Sequence, residues 1–247
     1  MSDEVLYESR DGIAEITINR PEKYNTFTHE VIDQLHAAWL RFSAGDDRVA
    51  ILAGAGEKAF TAGANLKDIP HDLFRAIPGI GVPVHKPVIA AVAGLVVGGG
   101  LVFLQMADLA VAADNTRIAY PEAKVGFAGG LVASLAARIP HKIAMELLLT
   151  GDFIDAGRAY EIGLVNRVVP VGQQLAVARE LARKIADNAP RVISLLKDFV
   201  GEVIPKGPTE AAGIARARVL DDINASADFV EGIEAFHAKR PPVFTGR

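Results

Sequence analysis

The chain has 247 residues, 26 basic against 30 acidic side chains, a formal charge of -4 and no cysteine, and half of it is hydrophobic although only 6% is aromatic. Such a composition can bury a core of Ala, Val, Ile and Leu, so a mostly disordered chain is excluded, as are disulfide scaffolds and Cys-ligated zinc or iron–sulfur sites. A pI near 5.9 argues against a generic nucleic-acid binder, and the length fits one large domain or two small ones.

Met1-Ser2-Asp3-Glu4 is acidic and has no apolar stretch behind it, so no signal or transit peptide is read there and a cytoplasmic protein is expected. Val5–Tyr7 and Ile13–Ile18 read as strands around an Asp11-Gly12 hairpin turn, with Ala14, Ile16 and Ile18 on one face. Arg20 to Asn25 is a polar loop. Thr28 can cap a helix whose apolar stripe holds Val31, Leu35, Trp39 and Leu40. Arg48–Ala53 is a third strand, Ala59–Leu66 is small and apolar, and residues 68–86 form a Pro/Gly-punctuated connection.

Pro87 to Ala107 carries no charge, which is long enough to raise a membrane span. Its glycines and its Val/Ile/Ala-rich start fit a buried strand, a tight turn and a buried helix through Met106 better. Leu109–Ala113 and Ile118–Tyr120 are two more short strands. From Gly129 onward the apolar period becomes that of helices, over 129–139, 141–150, 155–162, 172–187, 189–200, 208–223 and 226–238, with one strand at Val165–Val169. Asp155 and Ser226 suit caps, and Gly151 and Gly163 suit stops. The apolar stripes of the tail exceed what a small domain covers, so an oligomer is expected.

Two glycine-rich elements, Ala62-Gly63-Ala64-Asn65 and Gly98-Gly99-Gly100, each precede an expected helix start. Helix starts offer unpaired N–H groups, and two of them on one oxygen would form an oxyanion hole. Two tight turns without a ligand is the alternative. Neither element is a phosphate loop. Glu122 follows a strand among small apolar residues. Burial there would raise its pKa and suit it to acid–base work, whereas a surface position paired with Lys124 is the plainer reading. The six histidines lack metal spacing and no serine sits in a nucleophile elbow. Phe74, Ile77, Ile80 and Val82 fall in a stretch that either lines an acyl pocket or forms a surface lid.

Over nearly its whole length the chain resembles the crotonase superfamily, the enoyl-CoA hydratases and isomerases. The residues that carry this are Ile18 to Lys23 with Asn25, Ala59 to Lys67, Lys86 to Gly94, Gly98-Gly99-Gly100, Ala107-Asp108-Leu109, Pro121-Glu122, Leu149-Thr150-Gly151, Gly163 to Asn166, and Phe236 to Phe244. The resemblance implies an α/β fold: a crotonase-like ββα spiral core over residues 1–190, and a helical C-terminal trimerisation region over 191–247. It implies a homotrimer or homohexamer with an acyl-CoA thioester as substrate. No separate cofactor, metal, nucleic acid or membrane is implied.

By the same resemblance, the backbone N–H groups of Ala64 and Gly99 would hold the thioester oxygen. Lys67 would contact a CoA phosphate, Lys23 would lie near the nucleotide, Lys239 would reach the CoA of a neighbouring subunit, and Ala62, Leu66, Val102 and Phe127 would line the substrate site. Hydratases of the family carry two glutamates. Glu122 aligns with the second, but Val102 stands where the first would be and can neither move a proton nor hold a water. The loop after Glu122 is also shortened, to Phe127-Ala128-Gly129-Gly130. One carboxylate with an oxyanion hole suits isomerisation of an enoyl-CoA. The alternatives are a hydratase and a non-catalytic acyl-CoA-binding subunit.

Overall fold

In the computed structural model, which describes residues 3–126, 129–203 and 225–245, β1 (Val5–Arg10) and β2 (Ile13–Ile18) form the expected antiparallel hairpin. Asp11 and Gly12 both take positive φ, 53° and 74°, as a two-residue hairpin turn requires. Thr28 caps α1 (His29–Ala44), its side chain accepting from the Val31 N–H at 3.2 Å. The far end of α1 is closed by Lys86, whose Nζ donates to the Phe42 and Gly45 carbonyls at 2.8 and 2.6 Å. Lys86 thus satisfies carbonyls that the helix itself leaves open. Leu40 does not belong to the apolar stripe: it is 49% exposed, while Val31, Leu35, Ala38, Trp39 and Phe42 are buried. Five positions beyond Leu35 place it about 140° around the helix.

Three rounds of the chain then build two sheets. Each round gives one strand to a six-stranded sheet and the next to a four-stranded sheet. The pairs are β3 (Val49–Gly54) with β4 (Ala59–Thr61), β5 (Val88–Val92) with β6 (Leu95–Val97), and β7 (Leu109–Ala113) with β8 (Arg117–Ala119). Strands β2, β3, β5 and β7 run parallel in the first sheet, and β4, β6 and β8 run parallel in the second. After β6 comes α2 (Gly99–Met106). Between β5 and α2, where a tight turn alone is expected, the chain thus forms a further strand, β6. The structural repeat has no counterpart in a sequence repeat, because only strand order and burial recur.

Beyond the spiral lie α3 (His141–Thr150), β9 (Ile154–Asp155), α4 (Ala156–Glu161), β10 (Arg167–Val169), α5 (Gln174–Ala186), α6 (Pro190–Val203) and α7 (Ala227–Ala238). Gly151 ends α3 at φ 61°, and Asp155 and Ser226 cap α4 and α7. The strand expected over 165–169 pairs with β7 only from Arg167. The helix expected over 129–139 is a 3-10 helix over Gly130–Ala137. The carbonyls of Gly129 and Leu131 accept from Tyr120 Oη and Gln105 Nε2, which draws its first turn away from α-helical pairing. The helix expected over 208–223 lies outside the described residues.

The central strands of the six-stranded sheet, β3, β5 and β7, are buried on both faces, as continuous apolar strands require. One face, with Ala50, Leu52, Ala90 and Ala112, joins α1 and α2 in the main core. The other, with Val49, Ile51, Ile89 and Val111, meets Ala178, Ala182 and Ala186 of α5. Alanines at a spacing of four let that helix lie close to the sheet. No helix among the described residues is long and apolar enough to cross a membrane.

Candidate active site

The three parallel strands of the small sheet end at one edge, and a chemically distinct segment leaves each. β4 leads into Ala62–Asn65, β6 into Gly98–Gly100, and β8 into Tyr120–Glu122. The carboxyl ends of parallel strands are where open α/β sheets place ligands.

Gly98 lies at φ 57°, ψ -117°, a conformation that side-chain-bearing residues avoid. Its N–H donates to the Ala119 carbonyl at 3.0 Å. A Cβ on Gly98 would stand 2.7 Å from Glu122 Oε1 and 3.9 Å from the Gly63 Cα. Glycine is therefore what lets the two glycine-rich segments and the carboxyl close on one another. The next residue, Gly99, opens α2, so its N–H has no acceptor in the preceding turn. Leu73 and Phe27 pack against Gly99, and the Phe27 ring lies 5.2 Å from that of Phe103.

The other segment is not helical. Phe27 and Ala64 form a parallel β-bridge, in which Phe27 N–H donates to Gly63 at 2.8 Å and Asn65 N–H to Phe27 at 2.9 Å. The Ala62 N–H goes to Tyr24 at 2.9 Å and the Gly63 N–H to Thr61 Oγ1 at 3.1 Å. The Ala64 N–H, which this register turns away from Phe27, has no acceptor among the described residues. Ala64 and Gly99, unlike Gly63 and Gly98, are partly exposed.

Glu122 is 8% exposed, and its Oε2 has no hydrogen-bond partner. Burial pushes its carboxyl up to about 8 from its usual 4.5. Lys124 does not pair with it: Lys124 Nζ binds Asp152 at 2.7 Å and the Gly151 carbonyl at 3.1 Å. Tyr120 Oη donates to the Gly129 carbonyl at 2.5 Å. Burial, and then the Glu122 charge, raise that phenol well above its ordinary value. The other buried carboxyl among the described residues is Asp47, which is taken by Tyr7 and Ser9 at 2.8 and 2.7 Å. No group of metal-ligating side chains occurs among the described residues.

The structure brings Gly63, Ala64, Gly98, Gly99 and Glu122 together. Ala62 and Leu66 flank Ala64 and are partly exposed; Lys23 and Lys67 are exposed on the two segments that the Phe27–Ala64 bridge joins. Lys239 is exposed at the end of α7, a helix that lies against the Val125–Gly126 turn after Glu122. Val102 is 2% exposed and packs in the main core, as do Ile77 and Val82. Phe127 lies outside the described residues. Sequence reasoning left out Thr61, Leu73 and Phe103, and it gave Asn25 no role. Thr61 and Phe103 adjoin the glycine-rich segments in sequence, whereas Asn25 and Leu73 do not, and only the fold brings those two there.

The chain matches known proteins over nearly its whole length. Residues 8–247 match the family model Enoyl-CoA hydratase/isomerase. The chain is 35% identical over 255 residues to an (E)-benzylidenesuccinyl-CoA hydratase of Thauera aromatica, covering 98% of this chain and 99% of the relative. It is 38% identical over 263 residues to a carnitinyl-CoA dehydratase of Escherichia coli strain K12, covering 99% of each. A crystal structure of a carnitinyl-CoA hydratase from Mycobacterium avium superposes with a TM-score of 0.91 at 31% identity, covering 100% of each chain. The chain belongs to the enoyl-CoA hydratase/isomerase family and has the crotonase fold.

Proposed function

We propose that this enzyme of the enoyl-CoA hydratase/isomerase family moves the double bond of an enoyl-CoA, with Glu122 as its single acid–base. Glu122 takes a proton from C2 of a 3-enoyl thioester. The electron pair of the broken C2–H bond forms the C1–C2 double bond of a dienolate, which keeps its C3–C4 double bond and rests its oxygen on the Ala64 and Gly99 N–H groups. The same carboxyl returns the proton at C4, which leaves the double bond between C2 and C3 and gives the 2-enoyl thioester. Preorganised donors at such an oxygen contribute about 3–4 kcal/mol each. The observation that carries this reading is the lone Glu122 carboxyl, buried beside Gly98, with one oxygen unpartnered. Val102 is apolar and buried where the family's hydratases would place a second carboxylate.

A second reading, addition of water to a 2-enoyl-CoA, is favoured by the relatives, which are named hydratase and dehydratase. A panel of enoyl thioesters in heavy-oxygen water and in D2O separates the two. Deuterium at C2 or C4 without oxygen gain supports isomerisation; heavy oxygen in a product hydroxyl supports hydration. Glu122→Gln is expected to lower turnover by about 10²–10⁴ while binding of a saturated acyl-CoA survives. A loss of tenfold or less would overturn either reading.

In this proposal Lys67 is assigned to a CoA phosphate, Lys23 to the vicinity of the nucleotide, Lys239 to the CoA of a neighbouring subunit, and Ala62, Leu66 and Phe127 to the thioester and acyl chain. A homotrimer or homohexamer is part of the same reading. Val192, Leu195, Leu196, Phe199 and Val200 of α6 are all about half exposed, a larger apolar face than a monomer normally leaves to water. Light scattering at micromolar concentration tests it, with a monomer as the opposing result.

A further inference from the structure

We infer that Asn25 is the positioning residue that fixes the Ala64 N–H in the oxyanion hole; this rests on the reading just proposed. Asn25 is fully buried, and both polar atoms of its side chain are engaged. Its Nδ2 donates to the Ala59 carbonyl at 2.8 Å and the Ala55 carbonyl at 3.0 Å. Its Oδ1 accepts from the Arg20 N–H at 2.8 Å, and its own N–H donates to the Arg20 carbonyl at 2.9 Å. The side chain thereby ties the loop 20–27 to both ends of the turn that joins β3 to β4. Gly54 leaves the room: a Cβ there would stand 2.9 Å from Asn25 Nδ2.

The backbone hydrogen bonds that tie 62–65 to an earlier part of the chain come from the loop Asn25 holds. Tyr24 takes the Ala62 N–H, and Phe27 both donates to Gly63 and accepts from Asn65. Tyr24 and Asn25 sit at φ 52° and 53°, left-handed positions that non-glycine residues hold only when their surroundings fix them. Asn tolerates that region better than most side chains. Nothing in 62–65 fixes the direction of the Ala64 N–H from within, since the segment is neither helix nor strand. A shift of about 1 Å at a reacting group can lower turnover by about 10²-fold.

Two variants keep the left-handed backbone and remove the tie. Asn25→Asp keeps the acceptor for Arg20 but cannot donate to Ala55 and Ala59; Asn25→Gly removes both. The readout is the thioester carbonyl stretch of butyryl-CoA labelled with carbon-13 at C1, bound at saturation. This ester can neither isomerise nor add water. The unmodified protein is expected to shift the band to lower frequency. Both variants, folded by circular dichroism, are expected to lose at least half of that shift, and turnover at saturation is expected to fall about 100-fold. An undiminished shift and turnover in a folded variant would overturn the role of Asn25. Two variants that both fail to fold would overturn it as well, leaving a residue of stability alone. No shift in the unmodified protein would instead overturn the oxyanion hole itself.

Discussion

The Gly98 segment is shaped where it stands, by its own backbone and by the start of α2, whereas the Gly63 segment is held by a loop far earlier in the chain. Gly98 takes an angle that its own lack of a side chain permits, and the helix that follows leaves the Gly99 N–H open. The Ala64 N–H is open only because a β-bridge to Phe27 sets its register, and the tie from Asn25 to Ala59 spans 34 positions. One donor is thus a product of local structure and the other of tertiary structure. The first is expected to fail abruptly when a side chain is added, the second by degrees as its supports are removed.

Gly98→Ala tests the local side most severely. The new Cβ would meet Glu122 Oε1 at 2.7 Å and force an alanine to φ 57°, ψ -117°. Turnover is expected to fall at least about 10³-fold, since donor and acid–base move together, with a stability loss of about 1–3 kcal/mol. Steady-state kinetics and a thermal melt read the two effects. Retention of more than a tenth of the activity would mean that Gly98 does not set the site's geometry.

The pH profile sharpens the same side without altering the fold. Isomerisation needs Glu122 ionised, and burial holds its carboxyl at about 8. kcat/KM is expected to rise about tenfold between pH 7 and 9. Stability should move the opposite way. Between 4.5 and about 8 the native carboxyl keeps its proton while the unfolded one has lost it. The native state then binds more protons, so stability falls as pH rises through that window. Glu122→Gln should remove this decline, which denaturant melts at several pH values will read. A flat kcat/KM profile together with an unchanged stability slope would show that the carboxyl is not held protonated by its surroundings.

Thr61→Val gives the smallest effect and touches only the tertiary side. It removes the acceptor of the Gly63 N–H at 3.1 Å in a fully buried position while keeping the side chain's shape. A stability loss of about 1–2 kcal/mol is expected. Turnover should fall by less than about tenfold, because the ties from Tyr24 and Phe27 remain. A loss as large as that of Gly98→Ala would mean that the two segments are equally fragile.

The sequence by itself determined the residue types and their local order. The Asp11-Gly12 hairpin, the Thr28, Asp155 and Ser226 caps, the Gly151 stop and most strands are legible because turn chemistry and apolar periodicity act over a few residues. The glycine triplet and Glu122 were legible as residues in the chain, whereas the valine at 102, where the family's hydratases carry the first glutamate, was implied only by the resemblance. Only the tertiary structure decided what those positions do. It showed that Glu122 is buried while Lys124 turns away to Asp152, that β4, β6 and β8 end at one edge, and that Asn25 ties the loop 20–27 to the turn between β3 and β4. Burial, pKa and hydrogen-bond direction depend on groups distant in sequence, and no local pattern of residues encodes which of them will meet.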